Sequence, residues 1–174
     1  MFNGETQATQ QTHRLEKDMI EIEIPGFRRL ALEHMVLDYN GTLAVDGEVV
    51  AGVKTALRNL ADRLAIHILT ADTFGKVKSR LSDLPCEISI LPPGEQDVGK
   101  REFVQALGSE KTVAMGNGRN DRLMLETAAL GIAVILEEGA SAQTLSMADV
   151  VCTNIIDALA LLENPLRLVA TLRS

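Results

Sequence analysis

The sequence predicts an α/β fold, a mostly parallel sheet covered by helices on both faces. Three observations carry that prediction. Short apolar runs rich in β-branched residues alternate repeatedly with amphipathic helical patterns. The connections between them are short. The 174 residues, 46% hydrophobic and 24% charged, suit one globular domain with a sizeable core. Residues 1–18, MFNGETQATQQTHRLEKD, stand apart, because they are rich in Gln, Thr and charge and lack the apolar block of a signal peptide. They read as a flexible tail, which leaves 19–174 as the single folded domain.

The elements follow in order. Met19 to Ile24 alternates apolar and charged residues and stops at Pro25-Gly26, so it predicts an edge strand and a turn. Leu30 to Leu37 is the next strand. Leu43 to Val50 reads as a small hairpin turning at Asp46-Gly47. From there strand and helix signals alternate: helix Val53 to Arg63, strand Leu64 to Leu69, helix Gly75 to Leu81, strand Glu87 to Leu91, helix Val98 to Leu107 and strand Thr112 to Met115. Helix Asp121 to Ala129, strand Ile132 to Leu136, a short helix at Ala140 to Leu145 and strand Val150 to Cys152 follow. The chain closes on Leu-rich helical patterns over Ile155 to Leu162 and Pro165 to Leu172, read as core-covering faces.

Composition excludes several function classes. A net charge of −7 with 3% aromatic residues argues against a nucleic-acid surface, which needs basic side chains and stacking platforms. The longest strongly apolar region, Thr127 to Leu136, falls well short of the roughly 20 residues that span a bilayer. Cys86 and Cys152 form no CxxC or Cys/His cluster, read as buried thiols, and fit a reducing cytosol, so a cytoplasmic location is expected. His13, His34 and His67 show no i, i+4 pairing and no neighbouring Cys, which argues against a transition-metal site.

In parallel α/β sheets the ligand site lies beyond the carboxyl ends of the strands, where the strand order reverses. Four strand ends or helix heads carry polar residues of chemical interest. Asp38, in Asp38-Tyr39-Asn40-Gly41-Thr42, follows an apolar strand. Its carboxylate is placed to bind a hard cation or attack phosphorus, and Gly41 lets the backbone approach a ligand, although Asn-Gly is equally a plain turn signal. Thr70, in Leu69-Thr70-Ala71-Asp72-Thr73, offers a hydroxyl to a phosphoryl oxygen or to a local turn, and Asp72 or Thr73 suits a helix cap. Lys100 heads a helix after a Pro-Pro-Gly loop, where an ammonium is either solvated or set against a carboxylate and a phosphoryl group. The fourth, Gly116-Asn117-Gly118-Arg119-Asn120-Asp121, offers helix caps and a second carboxylate, Asp121, for a cation or for Lys100.

Taken together and in this order, DYNGT, LTADT, GK and GNGRND resemble the four motifs of the haloacid dehalogenase-like superfamily, over roughly Leu30 to Leu162. The segment with GNGRND, GIAV and ADVV looks most like the phosphorylation domain of P-type ATPases and their soluble relatives. The resemblance implies a Rossmann-like sheet and Mg²⁺. It makes Asp38 the residue that accepts the phosphoryl group, with Asn40, Thr70 and Lys100 as its catalytic companions. It assigns the phosphoryl oxygens to Asp38, Gly41, Thr70, Ala71, Lys100 and Asn120, and the metal to Asp38, the Asn40 carbonyl, Asn117 and Asp121. Separations of 32 residues from Asp38 to Thr70 and 30 from Thr70 to Lys100 leave no room for an inserted cap. The 43–50 hairpin would then be the flap beside the site. Capless members commonly shield the site by oligomerisation or act on large substrates, so a homo-oligomer acting on a phosphorylated substrate is expected.

Two positions depart from the family's pattern. Asn40 stands where its phosphatases carry an acid/base Asp, and a carboxamide cannot exchange a proton near neutral pH. Asn117 stands where the related motif has a metal-binding Asp, so the site loses a negative charge. The leading expectation is a Mg²⁺-dependent phosphatase or phosphotransferase, slow at releasing its aspartyl phosphate. A capless sugar-phosphate phosphatase, like the 3-deoxy-octulosonate phosphate family, is the alternative among enzymes. Outside enzymes, the alternatives are a domain that binds a phosphorylated ligand or protein partner, and a structural role.

Overall fold

The computed structural model describes residues 19–71 and 77–174. In chain order the elements are β1 (Ile20–Ile24), β2 (Arg28–Leu32), β3 (His34–Asp38), β4 (Ala44–Val45), β5 (Glu48–Val49), α1 (Val53–Ala61), β6 (Ala65–Thr70) and α2 (Val77–Arg80). They continue with β7 (Cys86–Ile90), α3 (Gln96–Leu107), β8 (Thr112–Gly116), α4 (Arg122–Thr127), β9 (Leu130–Val134), α5 (Ala142–Met147), β10 (Val150–Cys152), α6 (Ile155–Glu163) and α7 (Pro165–Leu172). The main sheet has six parallel strands in the order β10-β9-β8-β3-β6-β7. From β3 the chain builds outward through β6 to β7, then crosses back to β8 and builds the other way. The order therefore reverses between β3 and β8, the place where a ligand crevice forms.

Both faces of this sheet are covered, as a parallel sheet requires. Met35, Leu37, Ile66, Ile68, Val113, Met115 and Ile132 pack in the larger core with α1 and α6. Val36, Leu69, Ala114 and Ala133 pack with Val104 of α3 and Met124 and Leu125 of α4 on the other face. Alternation along each strand thus feeds two apolar layers, and the carboxyl ends stay free for polar residues.

Three elements differ from the expectation. The run Leu30 to Leu37 is two strands: the chain breaks at Glu33, whose N–H donates to the Lys111 carbonyl and whose own carbonyl accepts from Ala65 N–H. Its side chain pairs with Lys111 at 2.9 Å. β2 turns back on β1 as an antiparallel ribbon, while β3 enters the main sheet. β1 is thereby an outlying strand rather than an edge of the main sheet: Ile20, Ile22 and Ile24 are buried, Glu21 and Glu23 exposed, and α7 packs against it. The helix expected from Asp121 begins as a 3₁₀ turn over Arg119–Asp121. The expected helix start at Gly75 and caps at Asp72 or Thr73 lie outside the described residues, as do the 1–18 tail and His13.

The hairpin expected at 43–50 forms, with Asp46 (φ 51°) and Gly47 (φ 77°) both left-handed, as a two-residue turn between twisted strands requires. Cys86 and Cys152 are free and half-buried rather than fully buried, and burial pushes both thiols up. No described helix is long and apolar enough to cross a membrane. Gly131 in β9 tests how tightly α4 lies on the sheet, because a Cβ there would meet the Leu125 carbonyl oxygen at 2.5 Å, backbone that cannot swing aside. Gly131→Ala is expected to cost about 1–3 kcal/mol of stability, read as a lower urea midpoint with unchanged slope.

Candidate functional site

The site is built at the carboxyl ends of β3 and β8. β3 is apolar through Leu37 and ends on Asp38, which the parallel register sets beside Leu69, one residue short of Thr70 at the end of β6. β8 ends on Gly116, and the 116–121 turn carries Asn117 and Asp121 toward Asp38. Across this crevice α3 brings in Lys100, 62 and 21 residues from its partners. Its ammonium donates to Asp38 Oδ1 at 2.6 Å and to Asp121 Oδ1 at 2.5 Å. The Lys100 side chain is 1% exposed, against 11% for Asp38 and none for Asp121.

This is a buried chain of two carboxylates around one ammonium. Burial first, and then the Asp121 carboxylate, push Asp38 up to about 7, against the pull of Lys100 and of a hydrogen bond from Tyr39 N–H. Burial alone would push the ammonium down, but the two carboxylates together outweigh it, and Lys100 titrates above its ordinary range. Lys100 therefore stays charged.

Asp121 has a second task. Its Oδ2 accepts from Asn117 N–H at 2.9 Å and Gly118 N–H at 2.8 Å, which holds the 116–121 turn in place. With Oδ1 on Lys100, both its oxygens are engaged within the protein. Asn117 is oriented by its own amide, because Nδ2 donates to the Gly139 carbonyl at 3.0 Å and leaves Oδ1 facing the crevice. Gly41, at φ 75°, lies under that side chain: a Cβ there would sit 2.2 Å from Asn117 Nδ2, so the close approach excludes any larger residue.

Thr42 is fully buried, and its single hydroxyl proton faces two acceptors, Asp38 Oδ2 at 3.4 Å and Asn117 Oδ1 at 3.3 Å. One proton cannot serve both, so the crevice holds more oxygen acceptors than donors. An oxygen-rich, net negative cleft of this kind fits a hard divalent cation. Among the described residues no group of three or more His, Cys, Asp or Glu forms a metal cluster. The fit accordingly rests on one carboxylate, an amide oxygen and the neighbouring backbone carbonyl of Asn40, with Asp121 engaged behind them.

Of the remaining expected residues, Thr70 is buried at the end of β6 and Ala71 is exposed just beyond it. Asn120 is half-buried with Nδ2 donating to Gln96 Oε1 at 3.1 Å, which ties the 116–121 turn to the head of α3. Asn40 is half-buried at the root of the flap, and its Oδ1 is buried with no hydrogen-bond partner among the described residues. The flap itself is anchored: Tyr39 Oη donates to the Gly47 carbonyl at 3.1 Å, Asp46 N–H donates to Glu138 Oε1 at 3.0 Å, and Arg80 pairs with Glu48.

Three contributors were missed by sequence reasoning. Thr42 lies inside a motif that was read, and its signal was a hydroxyl four residues after Asp38. Gly139 and Thr144 gave none: Thr144 is fully buried and donates to the Gly118 carbonyl at 2.7 Å, joining α5 to the turn. His34 and His67, for which the sequence gives no sign of a contact, meet across β3 and β6 with Nδ1 and Nε2 3.2 Å apart. They lie toward the amino ends of the strands, away from Asp38.

No family model matches the chain. The uncharacterized protein MJ0073 of Methanocaldococcus jannaschii is 44% identical over 84 residues, spanning 46% of this chain and 90% of that protein. Among solved structures, the 3-deoxy-D-manno-octulosonate 8-phosphate phosphatase of Moraxella catarrhalis, in complex with a magnesium ion, a phosphate ion and a KDO molecule, superposes with a TM-score of 0.61 at 18% identity. The match covers 80% of this chain and 92% of that one. A zinc-transporting PIB-type ATPase gives 0.54 at 23% identity over 71% of this chain and 20% of the transporter. The chain therefore belongs to the same family as MJ0073 and carries the haloacid dehalogenase-like fold in its capless form.

Proposed function

We propose that this protein transfers or hydrolyses phosphoryl groups with Mg²⁺, through an aspartyl phosphate on Asp38. The observation that supports the reading is the buried Asp38–Lys100–Asp121 chain at the sheet's switch point. Asp38 is held at the strand tip, so its attack on phosphorus needs little reorganisation. As a phosphoryl group approaches, the Lys100 ammonium stands beside both the attacking carboxylate and the charge on the transferring oxygens. In this reading Thr70, Gly41, Ala71 and Asn120 would bind those oxygens. A bound Mg²⁺, held by Asp38, the Asn40 carbonyl and Asn117, with Asp121 behind them, would neutralise phosphoryl charge. Asn40 neither gives nor takes a proton, so water attacks the aspartyl phosphate without a general base there, and the intermediate should persist.

That persistence makes the test direct. Incubated with Mg²⁺ and acetyl phosphate, the wild type is expected to show a single phosphoryl adduct by intact mass, and Asp38→Asn none. An equal adduct or equal phosphate release from Asp38→Asn would refute the reading. The amides Asn40 and Asn117 favour a second reading, a domain that binds a phosphorylated ligand without reaction. Its mark would be tight binding of inorganic phosphate with no adduct, unchanged by Asn40→Asp.

A further inference from the structure

We propose that the substrate carries its phosphoryl group on nitrogen: a phosphoramidate, rather than a phosphate ester of an alcohol. The inference rests on the phosphoryl-transfer reading above. It starts from Asn40, two residues beyond Asp38 at the root of the flap, whose Oδ1 is buried and has no hydrogen-bond partner among the described residues. A buried acceptor left without a donor destabilises the fold, and a ligand that supplies the proton relieves that cost. An alcohol leaving group makes the opposite demand. It departs as an alkoxide and needs a proton from the protein, which a carboxamide cannot deliver. The ammonium at the site, Lys100, is engaged in hydrogen bonds to Asp38 and Asp121.

A phosphoramidate meets both conditions. Near neutral pH its nitrogen is already protonated, so its N–H can donate to Asn40 Oδ1. The P–N bond then breaks with its electron pair staying on nitrogen. For the simplest case, ⁺H₃N–PO₃²⁻ and the Asp38 carboxylate give neutral ammonia and the Asp38 acyl phosphate, with no proton needed from the enzyme. Water then returns the carboxylate and dihydrogen phosphate. An acyl phosphate also leaves without a proton but brings no N–H, so Asn40 Oδ1 would stay unpaired against it.

The experiment compares potassium phosphoramidate, acetyl phosphate and glucose 6-phosphate by adduct formation and phosphate release, for wild type, Asn40→Leu and Asn40→Asp, all with Mg²⁺. The expected order for the wild type is phosphoramidate, acetyl phosphate, then glucose 6-phosphate, the last slower by at least about 100-fold for want of an acid. Asn40→Leu should reduce the phosphoramidate to acetyl phosphate rate ratio about tenfold, the loss of one hydrogen bond. Asn40→Asp should raise the glucose 6-phosphate to phosphoramidate ratio by about 10²-fold or more. Acetyl phosphate as the faster donor, with a ratio that Asn40→Leu leaves unmoved, would overturn the inference in favour of acyl phosphates. Comparable wild-type rates on glucose 6-phosphate would overturn it in favour of esters. No adduct and no release from any donor, in the wild type and in Asn40→Asp alike, would instead sink the phosphoryl-transfer reading beneath it.

Discussion

Replacing Lys100 with methionine is expected to lower the unfolding free energy by about 3–5 kcal/mol at pH 8, the penalty for leaving buried charge without its partner. The ammonium stands between Asp38 and Asp121 at 2.6 and 2.5 Å, and the three side chains are almost wholly withdrawn from water. Methionine, one atom shorter, keeps the apolar stem, so the loss is mainly electrostatic rather than a cavity. It also has a pH signature. Without the ammonium the Asp38 carboxylate loses its nearest cation and holds its proton to higher pH, so acid neutralises it in the folded state and the deficit shrinks toward pH 5. The chain has no Trp and a single Tyr, so far-UV circular dichroism in urea at pH 5 and pH 8 is the suitable readout. A deficit under about 1 kcal/mol at both pH values would mean that water, not Lys100, compensates the carboxylates.

How much of this site could be read from the chain follows from the range of the forces involved. Strand tips are local features: an apolar run followed by Asp38, Thr70 or Gly116 predicts where polar chemistry emerges, and the order of these tips resembled one superfamily. Registers across the sheet are not local. Whether Lys100 is solvated or buried depends on α3 crossing β3 and β8, and the helix residues around it show no such choice. The same holds for Glu33, whose break between β2 and β3 is set by Lys111 and Ala65, distant in sequence. Asp121 was legible as a carboxylate near the site, while its division of labour, one oxygen to Lys100 and one to the 117–118 amides, needed the closed turn. The pairing of His34 with His67 likewise requires β3 and β6 to be neighbours in register.

Asp38→Asn is expected to make the metal-free protein more stable at alkaline pH while removing its chemistry. The carboxyl of Asp38 ordinarily titrates near 3.8 and is raised to about 7 by burial and by Asp121. The unfolded chain therefore releases that proton near pH 4, whereas the folded chain keeps it until about pH 7. Across that window the unfolded state binds fewer protons, so wild-type stability falls as pH rises and levels off above pH 7. At about 1.4 kcal/mol per pH unit the full effect is about 4–5 kcal/mol, and residual solvent access brings the expected gain of the Asn variant to about 2–4 kcal/mol at pH 8. Below pH 4 both forms are neutral at position 38, and the two proteins should unfold alike. Thermal unfolding at pH 4, 6 and 8 in chelator would show the gap opening with pH, and a gap of constant size would contradict the assignment. Millimolar Mg²⁺ should then close it from the wild-type side. Two carboxylates against one ammonium leave the crevice with an uncompensated negative charge, and a divalent cation supplies the compensation that Lys100 alone does not.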